Sequence, residues 1–380
     1  MARVPSYQKT TALVARALAL TPQELVSCFV PATLHQLGQI VDLRERVIGA
    51  ARVWDDSRYL SWRYHLGSVE RGRGECWVVK RGDAVLAMVG TERILVLHQG
   101  HAVDALSVMD IAVRPDFEGF GLGVWMAMQL CEHSDCVLAI GSNNNSRSIV
   151  SQVFARLPDR RCYAHLMEFE STFHRRWKQS GAAVVGARAA GWGMKLWRAG
   201  LSLTRDRSLH IEPLLRFDDA VERLIAQSRT PHEICVDRSA KFLNWRLFDN
   251  PRSAYSVWAA RDGAGLAGYI AVRLALSNEG VRTLVIEDFV VRAKGNGNGA
   301  RVLRTLLFQV FDQARTQACA RISVIACHPD NEQVLRSMGF FLRRADLETL
   351  SVRCRDPRLG EAINASTPWH LTGANTDRDG

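Results

Sequence analysis

The chain has 380 residues, 47% of them apolar and 23% charged, with a net charge of +10. That length exceeds one ordinary core and suits two domains of a soluble globular protein. No dense Lys/Arg run stands out, so the positive balance reads as an arginine-rich solvated surface, open to a polyanionic cofactor, and no nucleic-acid partner is expected.

The first segment, "MARVPSYQKTTALVARALAL", is interrupted by Lys9 and Arg16, too soon for a signal peptide. No uncharged run approaches the roughly 20 residues that span a bilayer. The nine cysteines are scattered. None has C-x-x-C spacing, and no His/Cys cluster has the pattern of a zinc site, so reduced thiols, a cytoplasmic setting and no metal are the expectations.

Along the chain the same succession occurs twice. An early helix is predicted from Leu34, Leu37 and Val41, and again from Phe217, Val221, Leu224 and Ile225. "SRYLSWRY" (57–64) reads against "AKFLNWRL" (240–247), bringing Trp62 onto Trp245 and Arg63 onto Arg246. Two strands around a glycine turn follow, "CWVVKRGDAVLAMVG" against "SVWAARDGAGLAGYI". A further strand carries Asp110 in "VMDIAV" and Asp288 in "IEDFVV", and each leads into a glycine loop, "EGFGLG" or "KGNGNG". After the second loop Leu303, Leu306, Leu307 and Val310 form a helical stripe. Buried strands "CVLAI" and "RISVIA" come next. Shared order at nearly constant spacing means two copies of one α/β unit with a mixed sheet. The expected organisation is an N-terminal extension (1–25), a first domain (26–175), a linker (176–208), a second domain (209–356) and a polar, loose tail (357–380).

Within the linker, "AAVVGARAAGWGMKLWRAGLSL" (182–203) puts Arg188, Lys195 and Arg198 on one side of a helix and Met194, Trp197 and Leu201 on another. A membrane-surface helix is one reading. A linker packed on a domain is the other, and four glycines favour it. Trp62, Arg63, Trp245 and Arg246 likewise have two readings, an acceptor groove or core packing. Their presence in both copies favours packing.

A strand that ends in a glycine turn and opens a helix is an anion site, because the first helical N–H groups have no internal partner. The G-x-G-x-G spacing is neither a dinucleotide fingerprint nor a Walker loop. "VMDIAVRPDFEGFGLGVWMAMQL" resembles motif A of the GNAT superfamily of acyl-CoA-dependent N-acyltransferases, with Val113, Pro115, Gly119, Gly121 and Gly123 on the pattern. Glu118 stands where the family has Gln or Arg. In the second copy Val291, Lys294, Gly295, Gly297 and Gly299 fit, in a shorter loop that lacks the proline, and "HPDNEQVLRSMGFFLRR" resembles the family's last motif.

The resemblance implies two tandem GNAT-like domains, each a mixed, splayed β-sheet flanked by helices. It implies acetyl-CoA or another acyl-CoA as co-substrate, and a primary amine of a small molecule as acceptor. The tail faintly resembles the ends of GNAT-like proteins encoded with bacterial polysaccharide genes, so an amino sugar or its nucleotide belongs in the first panel. In the family a carboxylate on the strand before the loop is often the base, which points to Glu287, Asp288 and Asp110. Asp110 and Asp288 have a second reading as structural anchors, since both copies keep them. The family's acidic tyrosine is missing. A thiolate leaves readily without an acid, or Cys327 or His328 supplies one. Lys294 and Glu287 make the second copy the expected catalytic half and the first the weaker binder. Two other classes stay open: a catalytically inactive CoA- or partner-binding protein, and an aminoacyl-tRNA-dependent transferase, which two pyrophosphate loops argue against.

Overall fold

The structure is a computed structural model. It describes residues 6–48, 57–66, 74–98, 101–142, 146–168, 186, 189, 191–193, 196–197, 200–201, 205–228, 234–236, 238–277, 280–292, 298–326, 328–343, 348–363 and 369–375.

Half one begins with helices α1 (Tyr7–Ala17) and α2 (Pro22–Ser27), then β1 (Phe29–Pro31), α3 (Leu37–Ile48) and α4 (Ser57–Tyr64). Strands β2 (Gly74–Arg81), β3 (Ala84–His98) and β4 (His101–Val113) form an antiparallel meander. Helix α5 (Leu122–His133), strand β5 (Cys136–Ile140), helix α6 (Arg147–Val153) and strand β6 (Ala155–Leu166) complete it. Half two runs β7 (His210–Leu214), α7 (Asp219–Ser228), β8 (Ile234–Val236), α8 (Ala240–Leu243), β9 (Tyr255–Asp262), β10 (Gly265–Leu276) and β11 (Arg282–Val291). It continues with α9 (Asn298–Thr316), β12 (Arg321–Ala326), α10 (Pro329–Ser337), β13 (Phe341–Leu342), β14 (Glu348–Cys354), α11 (Pro357–Ala362) and β15 (Trp369–His370).

The predicted periodicities are borne out. Leu303, Leu306, Leu307 and Val310 are buried against the sheet on α9, and β5 is buried at every residue, as its unbroken apolar run requires. Phe217 is buried but precedes α7, and Leu34 departs further. It lies exposed in a short 3-10 turn ahead of α3.

One continuous sheet joins the halves in the order β1-β2-β3-β4-β5-β14-β6-β12-β11-β10-β9-β7. The order is nearly palindromic because the halves exchange strands. Strand β14 of half two lies between β5 and β6 of half one. In return, the latter part of β6 lies between β12 and β13 of half two. The repeated tryptophans also meet. Trp62 and Trp245 stack at 4.8 Å between centroids, and the Arg63 guanidinium lies 5.7 Å from the Trp245 ring. Arg63 is itself paired with Glu92 at 3.1 Å in the interior. The packing reading of these residues is the one the structure supports.

The tail departs from expectation. From Trp369 to Asn375 it is built into the interior, with Leu371 1% and Thr372 2% exposed. Strand β15 pairs with β8, which in turn pairs with β3, so the tail is held by both halves. A polar composition misled here because His370, Thr372 and the Asn375 side-chain oxygen find partners in the interior, as described below.

Of the linker segment 182–203 the structure describes only part. Trp192 and Leu196 are exposed at 67% and 71%. Trp197 lies beside His165, 6.5 Å between rings, and against Gly339 of half two. Arg188, Met194, Lys195 and Arg198 lie outside the described residues.

Among the described residues no helix is long and apolar enough to cross a membrane. Among them, too, no group of three or more His, Cys, Asp or Glu is placed to hold a metal ion.

Candidate active site

In both halves the strand before the glycine loop parts from its parallel neighbour midway. The β4–β5 pairing runs from Ala105/Cys136 to Val108/Ala139, and β4 then continues alone on that side to Val113. The β11–β12 pairing stops at Ile286/Val324 while β11 continues to Val291. Each strand bulges where the split begins. Between Thr91/Val108 and Val89/Ile111, β4 has one residue more than β3, and Glu287 is the extra residue of β11 opposite Ala271 and Val272. The splayed sheet implied by the sequence is therefore present twice.

The two clefts differ in what fills them. In half one, Pro115–Phe117 makes a 3-10 turn, Glu118 is extended, and Gly119 and Gly121 take φ of 84° and 80°. These are left-handed values that a side chain resists. Gly121 caps α5, whose first N–H groups open onto a cavity of about 520 Å³. Its walls are Ile111 and Val113 of β4, the loop residues Phe117 to Gly119 and Gly121, the first turn of α5, Val47 of α3, and α6 with Ser146 before it. Helix α1 braces the far side of α5: Trp125 donates to Thr11 Oγ1 at 3.1 Å. Val113, Gly119, Gly121 and Gly123 are thus brought together around one space. Among the described lining residues there is no cation, and Glu118 is the one charge.

In half two the corresponding split is covered by the chain's own tail. His370 Nε2 lies 3.1 Å from the carbonyl oxygen of Phe289, and the Thr372 hydroxyl lies 2.6 Å from Asp288 Oδ1. Gly373 packs so closely on the Glu287 carboxylate that a side chain at 373 would collide with it. Val291 is half-buried beside Gly268 and Gly299. Gly299 sits in the first turn of α9, while Lys294, Gly295 and Gly297 lie outside the described residues.

The four candidate catalytic residues each have their own partners. Asp288 is fully buried. It accepts from Arg238 Nε at 3.2 Å, from the Tyr269 hydroxyl at 2.7 Å and from Thr372. Arg238 also reaches Thr372 Oγ1 at 3.2 Å and Asn375 Oδ1 at 3.1 Å, tying the tail to the ion pair. Burial, then the neighbouring Asp288 charge, pushes the Tyr269 hydroxyl well up. Glu287 is paired with Arg273 at 2.6 Å, with only 4% of its side chain exposed.

Asp110 makes the same kind of cluster with different partners, accepting from Arg44 of α3 and the Tyr64 hydroxyl of α4. Gly90 leaves the space that Tyr64 occupies. Burial alone would raise the Asp110 carboxyl, but Arg44 and Tyr64 hold it below the usual carboxylate range. His328 is the N-cap of α10 and accepts from Asp330 N at 3.3 Å. Cys327 lies outside the described residues.

Both aspartates therefore stand in anchoring clusters, one of their two sequence readings. A consequence can be measured. Because the folded Asp110 pKa is depressed, its stabilising effect is present above the unfolded pKa of about 3.9 and is lost as pH falls through the folded value. Asp110→Asn removes the counter-ion from a buried arginine and is expected to cost about 3 kcal/mol near neutral pH. The gap to the unaltered chain should narrow below about pH 4. Urea unfolding across that range would show it, and equal stability of the two chains at pH 7 would refute the anchoring role.

The sequence did not reveal Arg44, Arg238, Thr372 and Asn375. Arg44 and Arg238 lie 66 and 50 residues from the aspartates they serve, and nothing local marks them.

No family model and no curated protein matches the sequence. Solved structures do. A GCN5-related N-acetyltransferase from Anabaena variabilis superposes with a TM-score of 0.58 at 12% identity, over 87% of this chain and 73% of that one. Another from Kribbella flavida gives 0.56 at 14% identity, over 90% and 80%. The Saccharomyces cerevisiae N-myristoyltransferase with bound myristoyl-CoA gives 0.54 at 9% identity, over 86% and 78%. The chain has the α/β fold of the GCN5-related N-acetyltransferases, with a large mixed sheet flanked by helices.

Proposed function

We propose that the chain is an acyl-CoA-dependent N-acyltransferase, built from two GNAT-like units, that binds its co-substrate in half one. The observation that carries this reading is the cavity where β4 and β5 part, floored by the N-terminus of α5. The loop N–H groups suit a pyrophosphate. Beyond Val108 one edge of β4 has no strand partner among the described residues, so its backbone groups are available to the amides of a pantetheine arm, as in strand addition. Known proteins of this fold with bound myristoyl-CoA support an acyl-CoA ligand. This reverses the preference for half two, whose split holds the tail.

The reaction is attack of a neutral primary amine on the thioester carbon. The C–N bond forms, the C–S bond breaks, and the thiolate takes a proton. Of the three strand carboxylates, Asp110 keeps 16% side-chain exposure, against 4% for Glu287 and none for Asp288. Asp110 is thus the most exposed of the three, although it does not line the cavity and its pairing makes it a weak base. The acceptor we favour is a small amine, with amino sugars and their nucleotides first.

Release of free thiol from acetyl-, octanoyl- and myristoyl-CoA, with a panel of amines, tests the activity. Glu118→Gln removes a carboxylate from beside the diphosphate and should lower the KM for acyl-CoA several-fold with kcat little changed. Acyl-CoA binding without turnover for any amine would leave a CoA-binding protein and overturn the enzyme.

A further inference from the structure

The exchange of strands brings two thiols of opposite halves together. Cys136 opens β5 and Cys354 ends β14, and the register places them directly opposite each other. They are 218 residues apart in sequence, with their sulfurs 3.5 Å apart. The kind of pair they form follows from the neighbouring hydrogen bonds. Gly141 N donates to Thr349 O, and Arg355 N donates to Asp135 O. Hydrogen-bonded pairs alternate with non-hydrogen-bonded ones along an antiparallel ladder, so 136/354, next to 135/355, is a non-hydrogen-bonded pair. There the Cα atoms approach to about 4.5 Å and the side chains lie closer than elsewhere in the ladder. That spacing is within the range of about 4.4–6.8 Å that a disulfide spans.

Access is one-sided. Cys136 is fully buried, whereas Cys354 is half-buried beside Gly360 of α11. The contact with Cys354, followed by burial, pushes the Cys136 thiol up, and the same contact lowers Cys354 against the opposing effect of burial. Exposure therefore makes Cys354 the sulfur that an external disulfide can reach. Cys131, the other thiol of this region, is pushed up to about 12 by burial and donates to Ala127 O at 3.3 Å along its own helix.

We propose that Cys136 and Cys354 form a reversible redox staple between the two halves. A low-molecular-weight disulfide such as oxidised glutathione supplies the oxidant. The Cys354 thiolate attacks one of its sulfurs, forming a mixed disulfide and expelling one glutathione thiolate. Cys136 loses its proton and attacks Cys354 Sγ, expelling the second. Two protein thiols are oxidised, one glutathione disulfide is reduced to two thiols, and no other reagent is needed. The link fastens β14 to β5, the strand that forms one wall of the half-one split.

The full chain equilibrated in glutathione redox buffers tests this. Oxidation should remove two titratable thiols per denatured chain, give a single peptide linked through 136 and 354 in a non-reducing digest, and raise the unfolding temperature by several degrees. Reduction should reverse all three. Cys136→Ser and Cys354→Ser should each abolish the linked peptide and the temperature shift. An unchanged thiol count in a buffer that fully oxidises a small dithiol would overturn the staple. So would a linked peptide joining Cys354 to Cys131.

Discussion

A chain that stops after Pro368 is expected to lose about 5 kcal/mol of stability or more. Trp369 and Leu371 are 4% and 1% exposed, and burying a large apolar side chain is worth about 1.5–3 kcal/mol. The polar losses add to this. Asp288 loses the Thr372 hydroxyl, Arg238 loses Thr372 and Asn375, and Arg160 loses the Thr372 carbonyl it donates to at 2.8 Å. A buried group left without a partner costs about 1–3 kcal/mol. For a chain of this size each kcal/mol corresponds to roughly 2–4 °C or less in melting temperature. Urea and thermal unfolding of the truncated and full chains measure the difference. Matching midpoints would mean that the tail is the loose appendage its composition suggests.

The same segment explains what could and could not be read from the sequence. Elements made by local periodicity were legible: the α9 stripe, the all-apolar β5, and Gly119 and Gly121 of the first loop, whose φ values need glycine. The repeat was legible because pairs of Trp, Asp and Gly recur in order. What the repeat could not show is that its two units share strands, since nothing in β6 or β14 says which β5-like strand it will join. Nor could it show that one cleft stays open while the other is filled. Seven residues near the C-terminus decide that difference, and their partners lie far away in sequence. The two aspartates illustrate the same limit. Their shared position was visible, but Arg44 and Tyr64 serve one and Arg238 and Tyr269 the other. Similar sites are thus neutralised by the same two residue types drawn from non-equivalent positions.

Gly121→Val is expected to weaken acyl-CoA binding by one to two orders of magnitude. At φ of 80° a β-branched side chain is strained by about 1–2 kcal/mol. Relief of that strain turns the loop away from the axis of α5 and removes N–H donors from the diphosphate. Each hydrogen bond to a charged group is worth about 1.5–3 kcal/mol, and every 1.4 kcal/mol is a tenfold change in affinity. Gly299→Ala makes the comparison in half two. There a new Cβ would meet the Arg292 carbonyl oxygen at 3.1 Å, a tight contact at the start of α9. If half one alone holds the co-substrate, Gly299→Ala alters stability slightly and leaves affinity unchanged. Calorimetric titration with a non-reactive CoA thioether gives both affinity and stoichiometry. One site per chain, lost in Gly121→Val and kept in Gly299→Ala, is the expected pattern. The reverse pattern would return the chemistry to the second loop, and would require the tail to leave the Glu287 cleft before acyl-CoA can enter it.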